Sequence, residues 1–400
     1  MLKKQFLLLL FLCGILFNLR DQELVEFSLG TGYQYDIYYS LSEGVTAFPE
    51  RDNWEIAFST AIVPNIRINS GTGVTLFEVS NDITEWSEVT SLSPNAIELR
   101  NSNLDWELGA FTVNDVGESS NWLEYNSDTD IQVGTKIYVI NYAEQSKKIK
   151  LNTVIDGVYN FTVANLDGAD EQMIEINTVN YSEKAFIFYS LINDEIIDRE
   201  PIISNWDILF TKYKEEYVSL DGDTMPYIVT GALSNRNLLA QYDGFLDVNP
   251  SFESLDLTYD INTIGYDWKQ YSGSYTIIDN RSYYILNQDQ TSLYKIIFQS
   301  FSGGQSGNMS FLIEELNYTS LLDDLVVDFE LYPNPNSGNC IINYSCNDAK
   351  LIITDVNGRF IMQKYGSSLK LDINNLNNGI YIATIITNDD IFAKQIIVNK

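Results

Sequence analysis

The seven-residue box Asn53-Trp54-Glu55-Ile56-Ala57-Phe58-Ser59 returns as Asn205-Trp206-Asp207-Ile208-Leu209-Phe210-Thr211. In both, Trp, Ile and Phe alternate and an acid directly follows the Trp. A strand sends alternate side chains to opposite faces. Trp54, Ile56 and Phe58 are therefore expected on one face and Glu55 and Ser59 on the other, with the same division in the second box. Burying aromatic and branched side chains contributes about 1.5–3 kcal/mol each, and such residues ordinarily line cores. Each box thus predicts one core strand.

The repetition extends on both sides. Tyr39-Ser40-Leu41 precedes the first box and Tyr189-Ser190-Leu191 the second. Downstream, Asp105-Trp106 is matched by Asp267-Trp268. Ile137-Tyr138-Val139-Ile140-Asn141 and Lys148-Ile149-Lys150-Leu151 are echoed by Tyr283-Tyr284-Ile285-Leu286-Asn287 and Lys295-Ile296-Ile297-Phe298. Matches in one order predict two tandem copies, over residues 24–178 and 180–317, each of ordinary domain size. Short runs rich in Tyr, Ile, Val, Thr and Phe, such as Tyr33 to Ser40, Val74 to Val79, Lys136 to Ile140 and Val158 to Val163, alternate with polar turns. No long amphipathic helix interrupts them, so the fold class is all-β.

The start of the chain, Lys3-Lys4 followed by an apolar run from Phe6 to Phe17, has the form of a secretory signal peptide over residues 1–22. No other apolar run approaches membrane-spanning length, so no transmembrane segment is expected in the mature chain. Residues 319–328 read as an acidic linker. The 24 basic and 55 acidic residues give a formal net charge of -31. That field repels phosphate backbones and anionic lipid, which argues against nucleic acid as a partner. No calcium loop of the Asp-x-Asp-x-Asp-Gly kind is present, and no metal site is expected. Cys340 and Cys346 bracket one strand-like segment, too far apart for a disulfide, and are expected as free thiols.

The order Tyr-Ser-Leu, Trp-(Asp/Glu)-Ile-x-Phe, Asp-Trp, Tyr-x-(Ile/Leu)-Asn and a Lys-Ile strand resembles the HmuY family of Bacteroidetes surface proteins, in two copies. The resemblance implies an all-β fold and, for the family's founding members, haem capture outside the cell through paired His ligands. This sequence contains no His. Met173, Met225 and Met309 are the remaining haem-ligand candidates, although Met in an apolar setting is ordinarily core filler. Haem is thus the one cofactor considered.

Residues 329–400 carry Tyr332-Pro333-Asn334-Pro335-Asn336-Ser337-Gly338, Asp355-Val356-Asn357-Gly358, Gly379-Ile380-Tyr381 and a terminal Lys400. Short alternating runs joined by turn residues predict a small β-sandwich, with an Asn-Gly hairpin after Lys350 to Asp355. The series resembles the type A C-terminal sorting domain of the type IX secretion system. That resemblance implies the type IX machinery as a partner and a secreted or outer-membrane surface location reached through the periplasm.

Catalysis finds little support. Without His there is no Ser-His-Asp or Cys-His arrangement, and no Gly-rich phosphate loop is present. No catalytic residue is nominated. The favoured expectation is a non-catalytic, surface-displayed binding protein for an unknown extracellular ligand. One alternative is an adhesive surface protein contacting proteins or glycans. Another is a carboxylate-based glycoside hydrolase, which needs two acids roughly 5 to 9.5 Å apart across a cleft.

Overall fold

The computed structural model describes residues 22–113, 120–127, 129, 131–218, 224–316, 330–343, 350–365, 368–374, 376–386 and 391–400. The expected leader through residue 21, the linker 319–328 and Cys346 lie outside them. The fold is all-β, and the helical turns among the described residues are 3-10 turns of three to five residues. Cys340 is a buried free thiol.

Two cores form, and each takes strands from both sequence copies. The first lies between an eight-stranded sheet built around Ile137–Tyr142, Gln145–Ile155 and Val158–Asn165 and a four-stranded sheet ordered Glu195–Ile197, Phe186–Ser190, Ile56–Ser59, Ile66–Ile68. The second lies between a five-stranded sheet ordered Glu23–Ser28, Asn308–Leu316, Leu293–Phe301, Arg281–Leu286, Leu239–Asp243 and a four-stranded sheet ordered Thr224–Ser234, Ile208–Val218, Ile37–Ser40, Gly44–Ala47. The opening strands of copy one therefore complete the second core. Those of copy two complete the first.

The exchange is written into the repeated words. Ile37–Ser40, holding the first Tyr-Ser, pairs antiparallel with the second box, and Phe186–Ser190 pairs with the first. At each junction the acid of the box accepts a main-chain hydrogen bond from the partner copy's Leu. Leu41 N donates to Asp207 Oδ2 at 2.8 Å, and Leu191 N donates to Glu55 Oε2 at 2.6 Å. Burial raises both carboxyl pKa values while these amides pull them back. The segments 24–178 and 180–317 are thus units of sequence, and the cores divide the chain differently.

The central strands of the inner sheets are buried on both faces. Ile56, Phe58, Ile187 and Tyr189 enter the first core, and Ile37, Tyr39, Ile208 and Phe210 the second. The intervening Ala57, Phe186, Phe188, Tyr38 and Leu209 form smaller clusters between the two lobes. Trp54 and Trp206 differ from expectation. The strands begin at Ile56 and Ile208, so strict alternation does not reach back to the Trp, and both rings turn to the interlobe side.

The structure also shifts the matching of one pair. Tyr138 Oη donates to Phe111 O at 3.0 Å and Tyr283 Oη to Ile264 O at 3.3 Å, each inside its core. Tyr283, rather than Tyr284, is therefore the counterpart of Tyr138, because a slip of one residue turns a side chain to the opposite face. On the outward faces, Lys148 Nζ donates to Trp86 O and Val89 O, and Lys295 Nζ donates to Leu246 O and Asn249 Oδ1. Each buried ammonium pins a long loop to its outer sheet.

The C-terminal unit has sheets ordered Glu330–Tyr332, Asn339–Asn343, Ser368–Asp372 and Phe360–Tyr365, Lys350–Asp355, Gly379–Ile386, Ile391–Val398. The Asn-Gly hairpin forms as expected, with Asp355 Oδ1 accepting from Asn357 N and Arg359 N. The shared motifs close the unit on itself. Asn334 and Asn336 hydrogen-bond the main chain of the last strand at Gln395 and Ile397, and Lys400 Nζ donates to the carbonyls of Asn374 and Leu376. Gly338 has φ +114°, and a Cβ there would meet Asn374 Oδ1 at 2.1 Å.

Candidate functional site

Where the inner sheets face each other, a chamber of about 70 Å³ opens between the lobes. Its walls come from both sequence copies. Trp54, Trp106, Trp206, Phe186, Phe188 and Tyr38 supply the aromatic lining. Trp106 bridges the halves, 6.1 Å from Phe186 and 6.2 Å from Trp206 between ring centroids. Its indole Nε1 donates to Ser234 O at 2.7 Å. Gly71 lets the two inner layers touch, since a Cβ there would stand 2.1 Å from Lys212 O.

Charged residues complete the wall. Arg199, 8 % exposed, lies over the rings of Trp54 and Phe188 at 5.8 and 5.1 Å and pairs with Asp36 at 2.7 Å. Asp36 also accepts from Thr211 Oγ1 at 2.6 Å. Arg67 is buried, stacked 4.9 Å over Trp106, and donates to the carbonyls of Ser102, Asp105, Trp106 and Leu108. Burial lowers its pKa to about 10. Glu200 accepts from Phe186 N at 2.9 Å and more weakly from Ala185 N. Burial lifts its pKa to about 7, against those amides and the charges of Arg199 and Lys184.

Four lining residues carry polar atoms with no hydrogen-bond partner among the described residues: Trp54 Nε1, Trp206 Nε1, Arg199 Nε and Tyr213 Oη. Three of the four are N–H groups, which can only donate. An orphaned buried donor costs about 1–3 kcal/mol. A chamber that gathers several is therefore poised to accept a group rich in acceptor oxygens.

The sequence-stated haem candidates are not brought together here. Met173 is 76 % exposed on the strand Gln172–Asn177, Met225 is 45 % exposed on Thr224–Ser234, and Met309 is 1 % exposed inside the second core. None lines the chamber. Arg67, Arg199, Asp36 and Glu200 were not marked by any local pattern; Trp106 was visible as a repeated word, without a role. A second hollow, of about 500 Å³, lies between the first lobe and the C-terminal unit, lined in part by Tyr125, Gln132, Asp156 and Arg359.

Residues 330–399 match the family described as the secretion system C-terminal sorting domain. This part of the chain is a type IX sorting domain. The protein is accordingly exported by type IX secretion, through the periplasm, and the type IX machinery is a partner. No curated protein matches the chain significantly. Two solved structures from Porphyromonas gingivalis align remotely. PorZ, described as an essential bacterial surface component of the type IX secretion system, aligns at 11 % identity over 71 % of this chain and 45 % of its own, with a TM-score of 0.17. Dimeric latent PorU aligns at 10 % identity over 94 % of this chain and 34 % of its own, with a TM-score of 0.16. The chain thus spans less than half of either protein, and at such TM-scores the likeness carries no argument.

Proposed function

We propose that this is an exported, non-catalytic binding protein that holds a ligand between its two lobes. The observation that carries the reading is the interlobe chamber, where three buried N–H donors have no acceptor among the described residues. The two acids that line it are committed elsewhere, Asp36 to Arg199 and Thr211 and Glu200 to main-chain amides, which supports binding over hydrolysis. The resemblance of the exchanged motifs to the HmuY family supports a surface binding role and leaves haem as a second occupant to test.

Native mass spectrometry of the exported full chain, compared with the same sample denatured, tests the reading. A mass excess present only in the native protein and diminished by Trp106→Ala supports it. Identical masses in a chain folded by circular dichroism count against it. A haemin titration gives the second arm. A saturable Soret shift lost with one Met substitution moves the site to that Met, away from the chamber.

Adhesion has its own supporting feature, since Phe48, Tyr227, Phe245 and Tyr271 are exposed aromatic side chains. Binding of the exported chain to immobilised glycans, lost on Tyr271→Ala and Phe245→Ala but kept in Trp106→Ala, would favour that role.

A further inference from the structure

The chamber's chemistry narrows the class of ligand, on the reading that it binds one. Charge is the first constraint. Arg67, Arg199, Lys212 and Arg236 line it against two acids, Asp36 and Glu200, with Arg236 also paired to Glu107 at 3.7 Å, in a protein whose formal net charge is -31. Arg67 donates its hydrogen bonds to carbonyls, with the charge of Asp105 close by, and no ion pair involves Lys212 among the described residues. A low-dielectric space walled by surplus cations favours an anion.

Donor geometry is the second. Among the described residues, the N–H at Trp206 Nε1, 3 % exposed, at Arg199 Nε and at Trp54 Nε1 has no partner. Guanidinium and indole donors suit oxygens that only accept, and charge-assisted bonds of this kind are the strong ones. The walls and the volume are the third. Trp54, Trp106, Phe186 and Phe188 present ring surface, which suits an anion carrying an apolar body better than the fully oxygenated surface of phosphate or sulfate. About 70 Å³ has room for about five to seven water molecules, at about 10–15 Å³ each.

We infer that the chamber binds a small organic carboxylate, its oxygens on the N–H groups of Trp54, Trp206 and Arg199 and its apolar body among the aromatic rings. Trp106 and Arg67 position the walls, and the anion offsets the surplus positive charge.

Isothermal titration of the full chain with acetate, propionate and benzoate, against phosphate and sulfate at matched ionic strength, is the test. At least one carboxylate is expected to saturate at one site per chain, with phosphate and sulfate silent. Trp206→Phe keeps a ring and deletes the N–H, so it should weaken that carboxylate about tenfold or more; Trp54→Phe supplies an independent second deletion. Thermal melts show whether each variant is folded. No saturation by any carboxylate overturns the inference, as does binding unchanged in both folded variants, or saturation by phosphate or sulfate alone. A native mass excess together with silent carboxylates would remove this inference and leave the broader binding reading standing.

Discussion

The two lobes are built from the same words and finish differently. Each closes its core by borrowing the other copy's Tyr-Ser-Leu strand, and each ties the junction with one acid on one Leu amide. The difference lies in what the strands show on their outward face. At matching positions before Tyr39 and Tyr189, the second lobe presents Asp36 where the first presents Phe186. Asp36 is buried only because Arg199 and Thr211 meet it, whereas Phe186 packs against Trp106. The Asp-Trp pairs diverge further, since Trp268 stacks on Phe298 at 3.9 Å inside the second core while Trp106 stands between the lobes. Repetition therefore fixes the cores, and divergence on the seam makes the chamber.

The largest test of this comparison removes residues 22–47. Because Leu29, Ile37, Tyr39 and Leu41 belong to the second core, amide exchange should speed up across 208–218, 224–234 and 281–316 while 137–165 stays protected. Protection lost in 137–165 instead would break the exchanged assignment. Next comes Trp206→Ala, which empties a buried site against Tyr38, Trp106 and Leu209 and should cost about 3–5 kcal/mol in urea unfolding. Trp54→Ala in the half-buried counterpart should cost less, and equal losses would show the two boxes to be equivalent after all.

Glu200 sharpens the comparison through pH. Its folded pKa of about 7 stands above the ordinary 4.5, so the native state holds the proton more tightly than the unfolded chain. Its stabilising contribution is complete below about pH 4.5 and is lost as pH rises through about 7, at most about 3 kcal/mol. Glu200→Gln should flatten that slope in melting temperature against pH; an unchanged slope would place the titration elsewhere. Smallest are Lys148→Met and Lys295→Met. Each removes two hydrogen bonds donated by a buried ammonium, and each should cost about 1–3 kcal/mol, with faster proteolysis of the loop it pins. A large effect in one lobe alone would show that the matched lysines are not equivalent.

Much of the fold could be read directly. Alternation in Ile56, Phe58, Ile208 and Phe210 placed those side chains in cores, because a period of two survives whatever the strand pairs with. The Asn357-Gly358 hairpin and the sorting-domain motifs were equally local. Trp54 and Trp206 were misplaced because the strand begins two residues later, and the Tyr138 counterpart slipped by one because Tyr283 and Tyr284 are the same residue type. The chamber was hidden. Arg199 and Asp36 are 163 residues apart, and neither sits in a motif that demands a partner.

The sequence by itself determined an all-β chain with two aromatic boxes to bury and an export address at its end, since periodicity and turn chemistry act within a few residues. Only the tertiary structure decided which strand closes which core, and with it the chamber. Two near-identical boxes accept near-identical strands, so pairing choice rests on chain reach and on the fit of buried charges across the seam, which no local pattern encodes.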